Sequence, residues 1–170
     1  GILETDAPLS TNGSISMYDI EAADLVTARV DSVSVSGATS RLTLSNAAIK
    51  AFLSATTTDT TSLQYAKINW TFNSGTENFN WLGTGEEITF SYTVTADDGA
   101  GGTASTTVDI TIVGTDDKPT LTTIASISGG TGDIPFEITY ADLIAAANEA
   151  DIDNDPWFRI EAVSTGTLAK

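Results

Sequence analysis

Residues 82–119 read LGTGEEITFSYTVTADDGAGGTASTTVDITIVGTDDKP, and their alternation decides the fold. Ile88, Phe90, Tyr92 and Val94 alternate with Thr89, Ser91, Thr93 and Thr95, and Val108, Ile110 and Ile112 alternate with Thr107, Asp109 and Thr111. A period of two over this length predicts two strands, each with one buried and one wet face. Between them Asp97-Asp98-Gly99-Ala100-Gly101-Gly102 supplies glycines, which tolerate the positive φ of a tight reversal. The second strand runs into Gly114-Thr115-Asp116-Asp117-Lys118-Pro119, where proline stops the ladder and two carboxylates mark a module edge.

Outward from this hairpin the chain stays β-like. Glu4-Thr5-Asp6-Ala7-Pro8 mirrors the later linker, with acids just before a proline. A strand is predicted around 14–18, followed by the acidic loop Asp19-Ile20-Glu21-Ala22-Ala23-Asp24. In 25–36, Val26, Ala28 and Val30 share one face but Val33 and Val35 fall on the other, a phase slip that predicts a β-bulge near Asp31-Ser32. Ser45 caps an expected helix running through Ser54, with Ala48, Ile49, Phe52 and Leu53 as its apolar stripe. Residues 56–62 are a threonine-rich stretch expected to be a loop, and Ile68, Trp70 and Phe72 mark a central strand.

The loop 19–24 and its following strand are paralleled by Asp151-Ile152-Asp153-Asn154-Asp155 and PWFRIEAVSTG. Two such units imply related modules, 1–117 and a partial 118–170. The second carries an extra helix, 140–148, opened by a capping-box-like Thr139 and Asp142 and striped by Leu143, Ile144 and Ala147. Trp157 and Phe158 are expected to open its next strand. The expected fold class is therefore all-β: an immunoglobulin- or cadherin-like β-sandwich with a short helix, then the start of a second β module.

Composition narrows the function. Twenty-three acids against seven bases give a formal net charge of −16, which repels nucleic acid and anionic membrane surfaces and attracts cations. Cysteine and histidine are absent, so disulfides, thiolate nucleophiles, imidazole bases and soft-metal sites are excluded. No apolar run is long enough to span a bilayer as a helix. No signal peptide stands at Gly1, and the expectation is an internal piece or a mature fragment of a longer protein.

Phe79, Leu82, Gly85-Glu86, Tyr92, Val94, Asp97-Asp98-Gly99, Gly102, Val108, Ile110, Ile112, Gly114-Thr115-Asp116-Asp117 and Pro119 together resemble the closing half of a VCBS-type repeat. Such repeats occur in large bacterial surface adhesins and RTX-type secreted proteins. The usual ending is Gly-Thr-Asn-Asp-Ala-Pro; here Asp116 replaces asparagine and Lys118 replaces alanine. The later residues resemble, more loosely, the start of a cadherin-like module of the same adhesins. The resemblance implies an extracellular module, bound calcium and a role in cell adhesion.

Calcium takes six to eight oxygens from carboxylates, carbonyls and water, and closely spaced acids in turns supply them. The candidate ligands are Glu4 and Asp6; Asp19, Glu21 and Asp24; Asp97 and Asp98; Asp116 and Asp117; and Asp151, Asp153 and Asp155. The last group has alternate-residue spacing but lacks the glycine and terminal glutamate of an EF-hand. The alternative reading makes all of these acids a solvated surface. An up-and-down topology would bring Asp19, Glu21 and Asp24 beside Asp116 and Asp117, and set Asp97 and Asp98 near Glu4 and Asp6. Trp70 and Trp81 read as core, while Trp157 is the one candidate for a sugar or peptide contact. No carboxylate pair is set up for hydrolysis, and the glycines at 99–102 lack the lysine and helix of a phosphate loop, so no enzyme is expected. The expected function is a calcium-stiffened spacer in a large adhesin, with neighbouring modules of the same chain as partners. The alternative is a carbohydrate- or peptide-binding module of that adhesin.

Overall fold

The computed structural model describes residues 1–18, 25–58, 65–130, 132, 134–154 and 157–160. The chain divides into two compact units, Gly1–Thr115 and Asp116–Lys170.

The first unit packs two sheets together. One has the order β1 (Ile2–Leu3), β7 (Thr103–Val113), β6 (Glu87–Asp97), β3 (Thr27–Gly37). The other has β2 (Ser10–Tyr18), β5 (Tyr65–Asn73), β4 (Leu53–Thr57), and the short helix α1 (Asn46–Lys50) precedes β4. The alternating apolar residues of the hairpin face inward as their period requires. Ile88, Phe90, Tyr92, Val94, Val108, Ile110 and Ile112 are buried together with Leu53, Ile68 and Phe72 of the opposite sheet. Phe72 meets Phe90 and Tyr92 across the interface with ring centroids 6.4 Å apart in both pairs. The Tyr92 hydroxyl donates to the Ile49 carbonyl at 3.0 Å, tying α1 to the central strand without stranding a buried polar group. Burial raises the phenol's pKa well above its ordinary value.

The phase slip in β3 is real. Register shifts between Val30 and Ser32, leaving Asp31 unpaired in the ladder. Its carboxylate turns onto Thr95 and, at 2.8 Å, onto Arg29. That explains why Thr95 is buried where the alternation of β6 calls for exposure. Phe79 is buried and has φ +63°, in a region that a bulky side chain enters only when its surroundings hold it. Those surroundings are Phe52, Trp81 and Phe90, with centroids 6.5, 6.2 and 5.7 Å away. Trp70 is partly buried against the core, and its indole lies over Gly13 of β2 so closely that a Cβ there would strike the ring.

Three expectations are corrected. The helix capped by Ser45 stops at Lys50, and residues 53–57 form β4 instead of continuing the helix into a loop. Pairing with β5 (Leu53 opposite Phe72, Thr57 opposite Ile68) overrides the local helical stripe. Trp157 and Phe158 do not open a strand among the described residues. Finally, a short strand precedes the first one expected, and it runs parallel to β7. That extra strand reverses the parity of the chain. Glu4 therefore meets the exit of β7, while Asp97 and Asp98 sit at the far, hairpin end.

The second unit is built differently. It contains α2 (Tyr140–Ala146), opened by a capping box between Thr139 and Asp142, and two isolated bridges, Thr120 with Ala150 and Ile124 with Ala147. Asp153 is its one buried residue among those described. Ile134, Phe136, Ile138 and Ile152 are exposed.

Candidate metal centre

The described candidate acids of the first unit, Glu4, Asp6, Asp97 and Asp98, are engaged by the chain itself. Glu4 is only 2% exposed. Its carboxylate accepts from the Thr115 backbone N–H at 3.0 Å and from the Thr115 hydroxyl at 3.3 and 3.4 Å. Asp6 accepts from the Asn80 side-chain amide at 2.8 Å. Asp97 pairs with Arg29 at 3.1 Å and accepts from the Gly99 N–H. One oxygen of Asp98 receives the N–H groups of Ala100, Gly101 and Gly102 at 2.8, 2.9 and 2.8 Å. Those donors favour the ionised form and hold Asp98 below the usual carboxylate range. Its carboxylate organises the turn.

The expected placement of Asp97 and Asp98 near Glu4 and Asp6 is thus overturned by the parallel entry strand. The ends flanking the 19–24 loop also lie at the hairpin end: Tyr18 and Val26 line a cavity of about 210 Å³ with Asp98 and Gly102. Asp19, Glu21, Asp24 and Asp155 themselves are outside the described residues.

The second unit brings together acids that stand apart in the sequence. Thr120 and Ala150 exchange backbone hydrogen bonds at 2.8 and 3.0 Å, which lays the linker residues before Thr120 alongside those after Ala150. Asn154 then donates its side-chain amide to Asp116 at 3.2 Å and to Asp153 at 2.8 Å. The Asp117 N–H points at Asp153, and the Asp153 N–H at Asp151, both at 3.5 Å. Asp153 is 8% exposed, and its Oδ1 is shielded from solvent without a hydrogen-bond partner. Burial pushes Asp153 above the usual carboxylate range. The hydrogen bond and charge of Asp151 add to this, against the opposing Asp117 N–H. Glu149 Oε2 is likewise enclosed and without a partner. It was not among the sequence candidates, although Glu149, Asp151 and Asp153 continue one alternate-residue pattern.

The available donors are all oxygen, from the carboxylates and the side-chain amide of Asn154. That is hard-cation chemistry, and calcium tolerates irregular arrangements where magnesium demands an octahedron. A buried Asp153 with an unbonded oxygen, beside the half-buried carboxylate of Asp151, fits a cation electrostatically. Among the described residues, no group of three or more acids is already arranged to hold one, so binding requires the carboxylates to turn inward.

Comparison with protein-family models, with curated proteins and with solved structures returned no match. Among the described residues no helix is long and apolar enough to cross a membrane.

Proposed function

We propose that this chain is a calcium-stiffened spacer from a large bacterial surface adhesin, with an immunoglobulin- or cadherin-like first module. The observation that carries the reading is the meeting of the linker acids Asp116 and Asp117 with the Asp151–Asn154 turn around the buried Asp153. Calcium there would be held by Asp117, Asp151 and Asp153, with Asp116 and Glu149 close in sequence to complete its oxygens. The ion would neutralise the carboxylate pair and fasten the residues that follow Thr115 onto their own unit, removing slack from the linker. The VCBS-type resemblance of 82–119 supports the adhesin setting, extracellular location and attachment to neighbouring modules. A structural role without catalysis suits acids that serve turns and strand ends.

Trp157 is the strongest observation for the ligand-binding alternative, being 92% exposed and 6.4 Å from Tyr140. Its exposure is shared by Ile134, Phe136 and Ile152, so it singles out no recognition surface.

Titration calorimetry of the whole chain tests the reading. Extracellular calcium sites bind at about 10⁻⁴–10⁻³ M, so a saturable calcium heat in that range is expected, with a much weaker one for magnesium. Asp153→Ala should abolish it. A chain that gives no calcium heat, or an equal one in Asp153→Ala, would leave these acids as a solvated surface.

A further inference from the structure

We propose that β1, β7 and the Glu4–Thr115 contact form a shear latch that holds the first unit closed under end-to-end tension. The contacts stand alone, but their use as a load bearer rests on the spacer reading. β1 and β7 are neighbours and run parallel, with Ile2 opposite Ile112 and Leu3 opposite Val113. Force entering before Ile2 and leaving after Thr115 pulls parallel neighbours in opposite directions along their axes. Their links then lie side by side across the load and must break together; an antiparallel hairpin pulled from its open end would unzip one pair at a time.

The latch continues past the end of the ladder. Glu4 N–H donates to Val113 at 2.9 Å, and the Glu4 side chain then supplies the acceptor that a longer β1 would have offered to Thr115. Thr115 answers with both its N–H and its hydroxyl. Because Glu4 is buried, water does not take over these bonds until the residue has slipped as a whole. The partner strand cannot follow the pull either. Gly114 donates to Glu86 at 2.8 Å and accepts from Gly85 at 3.1 Å, anchoring the residue before Thr115 to the entry of β6. Load therefore crosses from β1 to β7 and out, and the remaining sandwich bears it only after the latch opens.

Constant-force unfolding of the whole chain, held at Gly1 and Lys170, tests this. Opening of the first unit is recognised by a contour gain of roughly 380–410 Å for its residues 1–115. Thr115→Val keeps the backbone donor and removes the hydroxyl bonds, while Glu4→Gln weakens both. Each should speed unfolding under load, Glu4→Gln by roughly five- to tenfold, the rate effect of replacing a charge-assisted hydrogen bond by a neutral one in the barrier. Ile68→Val, a core change remote from β1, is the control and should leave the rate under load close to wild type. Should the control unfold as fast as the latch variants, or neither latch variant differ from wild type, the latch is overturned. It is also overturned if calcium slows this step in wild type but not in Glu4→Gln, because Glu4 would then be a metal ligand. Absence of any calcium response in the second unit would contradict the spacer reading alone.

Discussion

The two units solve the same problem of stability by opposite means. The first closes two sheets over Phe72, Phe79, Phe90 and Tyr92, all fully buried, and engages Glu4, Asp6, Asp97 and Asp98 in turn and strand-end hydrogen bonds and an ion pair with Arg29. Among the described residues, the second leaves most of its large apolar side chains at the surface and buries an aspartate instead. Apolar burial stabilises at about 25 cal/mol per Å² without help, whereas a buried carboxylate beside another is unfavourable until something neutralises it. The first unit therefore rests on its own apolar core, whereas under the reading proposed above the second would depend on a cation.

The sharpest way to break that comparison is to cut equivalent apolar groups. Phe72→Ala should cost the first unit about 3–5 kcal/mol, read as a shift of its urea midpoint. Phe136→Ala in the second should stay within about 0.5 kcal/mol, as for an ordinary surface change. Comparable losses in both would mean that the second unit has an apolar core after all.

Gly114→Ala probes where the first unit's exit is built by close backbone approach. A Cβ at Gly114 would collide with the carbonyl oxygens of Leu82 and Gly83, so a loss of roughly 1–3 kcal/mol is expected from forced displacement. A melting temperature equal to wild type would show that the contact yields freely.

Calcium separates the units next. At roughly 10 mM, ten- to a hundredfold above its dissociation constant, one site adds about 1.4–2.7 kcal/mol by mass action. That gain should fall on the second unit alone. The direction of the Asp153 shift sets the pH dependence. Because its folded pKa is raised, folding favours the protonated form. Without calcium, the second unit should be tighter below the raised pKa and lose that advantage as pH rises through it. With calcium the order reverses, since protons compete for the same oxygens. Asp153→Asn should flatten the first dependence and remove the second, as read by hydrogen exchange against pH.

The smallest effect belongs to Asp98, whose pKa is shifted the other way. Its turn bonds contribute stability above the ordinary carboxylate pKa that is lost as pH falls through the lowered folded value. Asp98→Ala should loosen the β6–β7 turn and leave the second unit untouched, measured by amide exchange at Gly101 and Gly102.

What could be read in the sequence follows how local each cause is. The hairpin was legible because alternation and the glycine turn are both local, and the Asp31 bulge because Val30 and Val33 change phase within one strand. Ser45 and Thr139 were legible as caps for the same reason. Residues 53–57 misled because Phe52 and Leu53 extend a helical stripe, while the pairing that makes them β4 comes from residues 68–72. No local pattern announces that Glu4 bonds Thr115, 111 positions away. Of the candidate centre, the acids were visible but their partners were not, since the Thr120–Ala150 bridge that aligns them is non-local. Glu149 was within reach, one step back along the alternation that marks Asp151 and Asp153.

Amide hydrogen exchange on the whole chain, with calcium and then with chelator, tests the central claim most directly. Thr120 and Ala150 donate the two bonds that align the acids of the second unit, and Phe90 and Tyr92 lie on the central strand of the first. Calcium should slow exchange at Thr120 and Ala150 by roughly ten- to a hundredfold, following the mass-action gain, while Phe90 and Tyr92 stay unchanged and Asp153→Ala removes the difference. Equal exchange at Thr120 and Ala150 in calcium and chelator would contradict the account.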